Sequence, residues 1–106
     1  MRTKIFLLIS ALTLAGSPLF VPASAVAVGV GKTCAGIANI PCDAGLWCDL
    51  QAGRCGGVDV SGKCIKVPDV CEKSIKHVCG CDKKTYGNNC ERQMAKVQKN
   101  HDGECK

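Results

Sequence analysis

Apolar and polar positions fall into three regimes along the chain. From Ile5 to Leu14 the positions are largely apolar, preceded by Arg2 and Lys4 and followed by Gly16, Ser17, Pro18 and then Ala23-Ser24-Ala25. A charged start, a short apolar centre and a small-x-small end make a signal peptide, with cleavage expected after Ala25 and Ala27 as the second choice. The run is shorter than the roughly 18 residues a membrane span needs, and an uncleaved anchor is the alternative reading of the same pattern. Gly31-Lys32-Thr33 ahead of Cys34 does not look like a lipoprotein leader, so no lipid is expected there.

The second regime, residues 34 to 55, scatters Ile37, Ile40, Leu46 and Trp47 among turn residues such as Gly36, Pro41, Asp43, Gly45 and Gly53. No helical period runs through it, which predicts a loop-rich knot with at most a short hairpin. Gly56-Gly57-Val58-Asp59-Val60-Ser61-Gly62 reads as a connector. In the third regime, Val78 to Asp82 and Thr85-Tyr86 are strand-favouring runs separated by Lys83-Lys84, which predicts a hairpin. A helix should follow, because Asn88 can cap it with Glu91 reaching back three positions on, and Cys90, Met94 and Val97 share one face. Gly103 lies beyond the expected helix end. The organisation expected is therefore a signal peptide over 1–25, a cysteine-rich lead-in with its connector over 26–62, and a second unit over 63–106. Trp47, Met94 and Val97 are expected as core contacts, and His77 and His101 as surface histidines.

Cysteine changes this picture most. All ten (34, 42, 48, 55, 64, 71, 79, 81, 90, 105) lie after the leader, and an even set on an exported chain reads as a disulfide framework. Phe6 and Phe20 leave with the leader, so Trp47 and Tyr86 are the remaining aromatics. Such a chain cannot bury enough apolar surface to offset its ordering entropy; each bridge adds about 2 to 4 kcal/mol. In the lead-in the simplest pairing is Cys34 with Cys48 and Cys42 with Cys55, although spacing does not settle it. Zinc is the other use of cysteine, and His77 with Cys79-x-Cys81 is the cluster that invites it. The paired C-x(2-4)-C knuckles of structural zinc sites are missing, so no metal or other cofactor is expected. The net charge of +5 falls once Arg2 and Lys4 leave, and the remaining basic residues are spread out, which gives nucleic-acid binding little support. Two histidines and scattered carboxylates form no recognisable catalytic set, and there is no phosphate-cradling loop, so an enzyme is not expected.

Cys71-x7-Cys79-Gly80-x-Asp82-x2-Thr85-Tyr86-x-Asn88-x-Cys90, closing at Cys105, resembles the Kazal family of serine protease inhibitors. The resemblance implies a small disulfide-rich α+β fold of a short hairpin plus one helix, here preceded by a loop-rich cysteine knot. It implies Cys71 joined to Cys90, Cys79 joined to Cys105, and a protease-binding loop from about Asp69 to His77. By position Lys73 falls at the primary specificity site, Glu72 before it, Ser74 after the scissile bond and Ile75 next, while Asn88 matches the asparagine that bonds loop carbonyls from behind. Tyr86 would be the ring that packs the hairpin against the helix. Lysine suits a pocket with a carboxylate at its base, so the partner implied is a trypsin-like serine protease.

The chain departs from the family pattern at three points. The usual fifth cysteine is replaced by Gln93, and Cys81 appears between Gly80 and Asp82. Cys79 and Cys81, two apart on a strand, are poorly placed to bond each other, and the economical inference is that Cys64 pairs with Cys81. His77 stands where a proline is common, and Lys83 where a turn glycine is common. The pattern is similar to Kazal-like proteins exported by bacteria, some with a comparable lead-in. The function expected is a secreted or periplasmic inhibitor, monomeric and free of the membrane once the signal is cut. The alternative is a non-inhibitory extracellular Kazal-like binding or structural module. A cationic antimicrobial peptide is a weaker third, because the charge density is low.

Overall fold

The computed structural model describes residues 26–106; the expected signal peptide, residues 1–25, lies outside them. Six short strands and one helix follow in order: β1 (Thr33–Ala35), β2 (Leu46–Leu50), β3 (Ser61–Lys66), β4 (Val78–Gly80), β5 (Thr85–Tyr86), α1 (Asn89–Met94) and β6 (Lys99–Asp102). They form two antiparallel sheets of three strands, ordered β1-β3-β2 and β5-β4-β6. The architecture is the small disulfide-rich α+β class that the sequence implies. Among the described residues no helix is long and apolar enough to cross a membrane.

The lead-in carries more regular structure than its turn-rich composition suggests. Leu46–Leu50 pairs residue for residue with Gly62–Lys66, so the end of the glycine-rich connector is the centre of a sheet. The line between residues 62 and 63 falls inside β3. Gly62 makes this possible: a Cβ there would collide with the Asp49 carbonyl. The outer strands close toward each other over it, with Cys34 and Cys48 6.0 Å apart at Cα and joined by a disulfide.

Five disulfides link Cys34 to Cys48, Cys42 to Cys64, Cys55 to Cys81, Cys71 to Cys90 and Cys79 to Cys105. Two expected pairings are corrected. Cys42 does not meet Cys55, because the five residues of β2, about 16 Å of extended chain, separate the end near Cys42 from the end that leads to Cys55. Cys64 does not meet Cys81, because it is fully buried in β3 opposite Cys48, on the face where Cys34 and Cys42 bring their sulfurs. The bridge that Cys81 makes instead crosses from the hairpin to the loop after β2.

Among the described residues the buried apolar set is Cys34, Val60, Cys64, Val78 and Cys79, so sulfur supplies much of the core. Trp47 is only half-buried. The largest fully buried side chain among the described residues is charged: Arg92 is 1 % exposed. All five of its N–H groups are satisfied. Two reach the Asp49 carboxylate at 3.0 Å each, two reach Asn89 Oδ1 at 2.9 and 2.7 Å, and one reaches the Val97 carbonyl at 2.6 Å. Gln93 Nε2 donates to the same carboxylate at 3.0 Å. Beside it the Gln98 side chain caps the edge of β2, accepting from Leu50 N–H and donating to Cys48 O.

The helix is shorter than the sequence predicts and presents a different face. It ends at Met94 with Lys96 in the left-handed region (φ 55°). Lys96 N–H donates to Gln93 O and Val97 N–H to Arg92 O, the pair of bonds that closes a Schellman end. Met94, expected in the core, is 44 % exposed, and Arg92 takes the inward position. The chain then returns as β6, which was not expected, and Gly103 follows that strand rather than the helix.

Removing one member of a buried ion pair leaves the other uncompensated. Arg92→Met should lower unfolding free energy by about 3 kcal/mol, read as a drop in thermal midpoint of the oxidised protein.

Candidate binding loop

Residues 71 to 77 have no regular secondary structure, yet they are held at several points. Cys71 is bonded to Cys90 at the helix start, and Cys79 to Cys105 near the chain end. Glu72, Lys73, Ser74, Ile75 and Lys76 are all exposed, with Ile75 76 % exposed despite its apolar side chain. Val70, Glu72, Ser74 and Lys76 line a cleft of about 610 Å³ between the loop and α1 and β6. That alternation is the period of an extended chain, and it leaves Lys73 and Ile75 on the outward side.

Asn88 is the brace behind the loop. It is buried and extended (φ −161°) ahead of α1, and its Oδ1 accepts the Glu91 N–H at 2.9 Å, which caps the helix. Its Nδ2 donates both hydrogens, to the carbonyls of Glu72 and Ser74, at 2.9 Å each. These carbonyls stand on either side of Lys73. Lower down, Lys76 N–H donates to Gly87 O and Gly103 N–H to His77 O, both at 2.8 Å. His77 Nδ1 lies 3.3 Å from Glu104 Oε1, so the position where a proline is common is tied to the chain end by polar contacts. Cys79 and Cys81, beside His77, are both engaged in disulfides.

The hairpin that carries the lower end of the loop is built around Gly80. A Cβ there would strike the Tyr86 ring, the Val97 methyl and the Asp82 carboxylate, so only glycine lets the ring lie on β4. Tyr86 therefore packs on the hairpin beside Val97. Its hydroxyl donates to Asp82 Oδ2, and Asp82 Oδ1 accepts the Lys84 N–H. The Tyr86 bond holds the Asp82 carboxyl below its usual value, and the same bond raises the phenol above its ordinary value of 10.0. Lys83, at φ 66°, occupies the left-handed turn position as a non-glycine residue.

Of the residues implied by the sequence, the structure brings Glu72, Lys73, Ser74 and Ile75 together on one exposed stretch and sets Asn88 beneath them. Sequence reading missed Asp49, Arg92, Gln93 and Gln98. Nothing local marks Arg92 as an inward residue, and Asp49 is recognisable only once β2 is known to be a strand.

The result is a small, sulfur-clamped α+β unit that holds one extended, exposed loop from behind. Residues 63–105 match the family model of the Kazal-type serine protease inhibitor domain, and this segment of the chain belongs to that family. Kazal domains are inhibitors rather than enzymes and are typically extracellular. A comparison with curated proteins finds no match to the chain.

Two outcomes test this geometry. Asn88→Asp keeps the oxygen that caps α1 but replaces both loop-facing donors, and should cost about 2 kcal/mol in thermal or denaturant unfolding. Tyr86 is the chain's single tyrosine, so phenolate absorbance after a pH jump reads it directly. The folded-state value is raised, so the pair's contribution is full below about pH 10 and is lost as pH rises through the folded value. Asp82 is lowered, so on the acid side the contribution persists above about pH 4 and is lost as pH falls through its folded value. The midpoint for Tyr86 should lie above 10.0 and move back toward it in Asp82→Asn.

Proposed function

We propose that this chain is an exported inhibitor of trypsin-like serine proteases, engaging them in substrate-like fashion through Lys73-Ser74. Membership of residues 63–105 in the inhibitor family sets the general function; specificity and target class are inferred from the loop. The observation that carries the reading is the pair of Asn88 bonds to the Glu72 and Ser74 carbonyls, which lock the backbone around Lys73 while its side chain stays exposed.

Rigidity is the mechanism. A flexible peptide loses ordering entropy on binding, and a loop already held in the bound shape does not. After cleavage between Lys73 and Ser74, Asn88 still holds the carbonyls on both sides, and the Cys71–Cys90 and Cys79–Cys105 bridges hold the flanks. The new ends stay in place and religation competes with release. Lys73 supplies an ammonium for a carboxylate at the base of a deep pocket, and Glu72, Ser74 and Ile75 form the rest of the contact. The unit needs no cofactor for this and is expected to act as a monomer outside the cytoplasm.

A second reading, a non-inhibitory binding or structural module, is favoured by His77: its polar tie to Glu104 replaces a ring that would restrict the backbone outright. Titration of trypsin with the refolded, fully oxidised protein separates the two. The inhibitor reading expects stoichiometric loss of trypsin activity; none at micromolar protein would remove it. Lys73→Leu leaves the pocket carboxylate unpaired and should weaken trypsin inhibition by at least about a thousandfold, while chymotrypsin-like enzymes become inhibited. An unchanged profile would remove Lys73 from the specificity position.

A further inference from the structure

The helix that carries the Asn88 brace is six residues long, too short to hold itself in place by its own backbone bonds. Its covalent tie is Cys90 to Cys71. Three residues on, just short of one full turn, where the family usually has another cysteine, stands Gln93, whose amide donates to Asp49 Oδ2. Arg92 meets the same carboxylate with two N–H groups. With two more it grips the side chain of Asn89, the residue next to Asn88, and its backbone N–H donates to Asn88 O. A continuous line of bonds thus runs from β2 of the lead-in through Asp49, Arg92 and Asn89 to the residue that holds the loop carbonyls.

We propose that the amino-terminal sheet is a positioning element for the binding loop, with Asp49 orienting α1 through Arg92 and Gln93 so that Asn88 keeps its donors on Glu72 and Ser74. The inference rests on reading residues 72–76 as the inhibitory loop. Asp49 itself touches no part of that loop; it is a positioning residue and acts through the helix. The two sheets remain tethered without it, by Cys55–Cys81, by the Gln98 amide on the β2 edge, and by Gly53 N–H on Lys99 O. Loss of the carboxylate charge therefore acts on the orientation of α1 and leaves the two units joined.

The experiment uses the whole oxidised protein in four forms: wild type, Asp49→Asn, Gln93→Ala, and Val60→Ala. The last is a control that removes a buried contact elsewhere in the lead-in. Two quantities are read: the rate at which trypsin cuts between Lys73 and Ser74, and the exchange rate of the Asn88 side-chain amide hydrogens by NMR. Asp49→Asn should raise both by about tenfold. Gln93→Ala, which leaves the buried ion pair intact and so folds, should raise both by about threefold. Val60→Ala should raise neither beyond its effect on melting temperature. Unchanged Asn88 exchange in both Asp49→Asn and Gln93→Ala would overturn the proposal, as would an equal acceleration in Val60→Ala. A wild-type protein that fails to inhibit trypsin sinks the inhibitor reading instead, and the Asn88 exchange rates still decide the positioning role.

Discussion

The buried guanidinium of Arg92 is the constraint around which the chain is arranged. An unpaired charge at that depth would cost several kcal/mol, so each of its five N–H groups must find an oxygen in a fixed plane. Two come from Asp49, two bonds go to Asn89, and one to the carbonyl of Val97. These partners lie on β2, at the helix start and just past the helix end. Satisfying them together sets where the helix begins, where the chain leaves it, and which face of the lead-in it meets. A wholly apolar helix face would have tolerated sliding; a planar fork with five directional donors does not.

The reason such a device is needed is the poverty of the apolar interior. Among the described residues five apolar ones are buried, and three of them are cysteines. Larger apolar groups, among them Ile37, Val58, Val70 and Ile75, stand in solvent. Burial alone cannot stabilise a chain of this kind, and the disulfides do so mainly by restricting the unfolded state. A disulfide limits how far two points separate but leaves much of their relative orientation open. Orientation is supplied by the directional polar groups: Arg92 for the helix, Gln98 for the edge of β2, and Asn88 for the loop.

What could be read from the sequence follows from how local each feature is. The hairpin at Val78 to Tyr86 and the cap at Asn88 rest on residues a few positions apart, and the motif that begins at Cys71 sets both in register. The pairing of β2 with β3 was hidden because its partners are separated by the loop from Gln51 to Val60, whose glycines suggested a linker. Cys42 and Cys55 are close in sequence, and an extended strand drives them apart. Arg92 was invisible for a different reason: a charged residue in a polar run looks solvated until the carboxylate that meets it, 43 positions away in sequence, is placed. Met94 was expected inside because the helix was expected to continue, and the left-handed turn at Lys96 ended it first.

The displaced cysteine ties these points together. With Gln93 in the helix and Cys81 in the hairpin, the covalent link that would have fixed the helix instead joins the hairpin to the loop after β2. This gives the lead-in a permanent tether and leaves the helix to be held by polar contacts. The exchange is coherent only because the tether brings β2 alongside, where Asp49 can accept from both Gln93 and Arg92. A Kazal unit detached at residue 63 would keep Gln93 and Arg92 but lose the carboxylate they share, leaving a large cation without its counter-charge beneath the residue that braces the loop. The lead-in and the loop are thus one mechanical system, in which sulfur sets proximity and a single carboxylate sets direction.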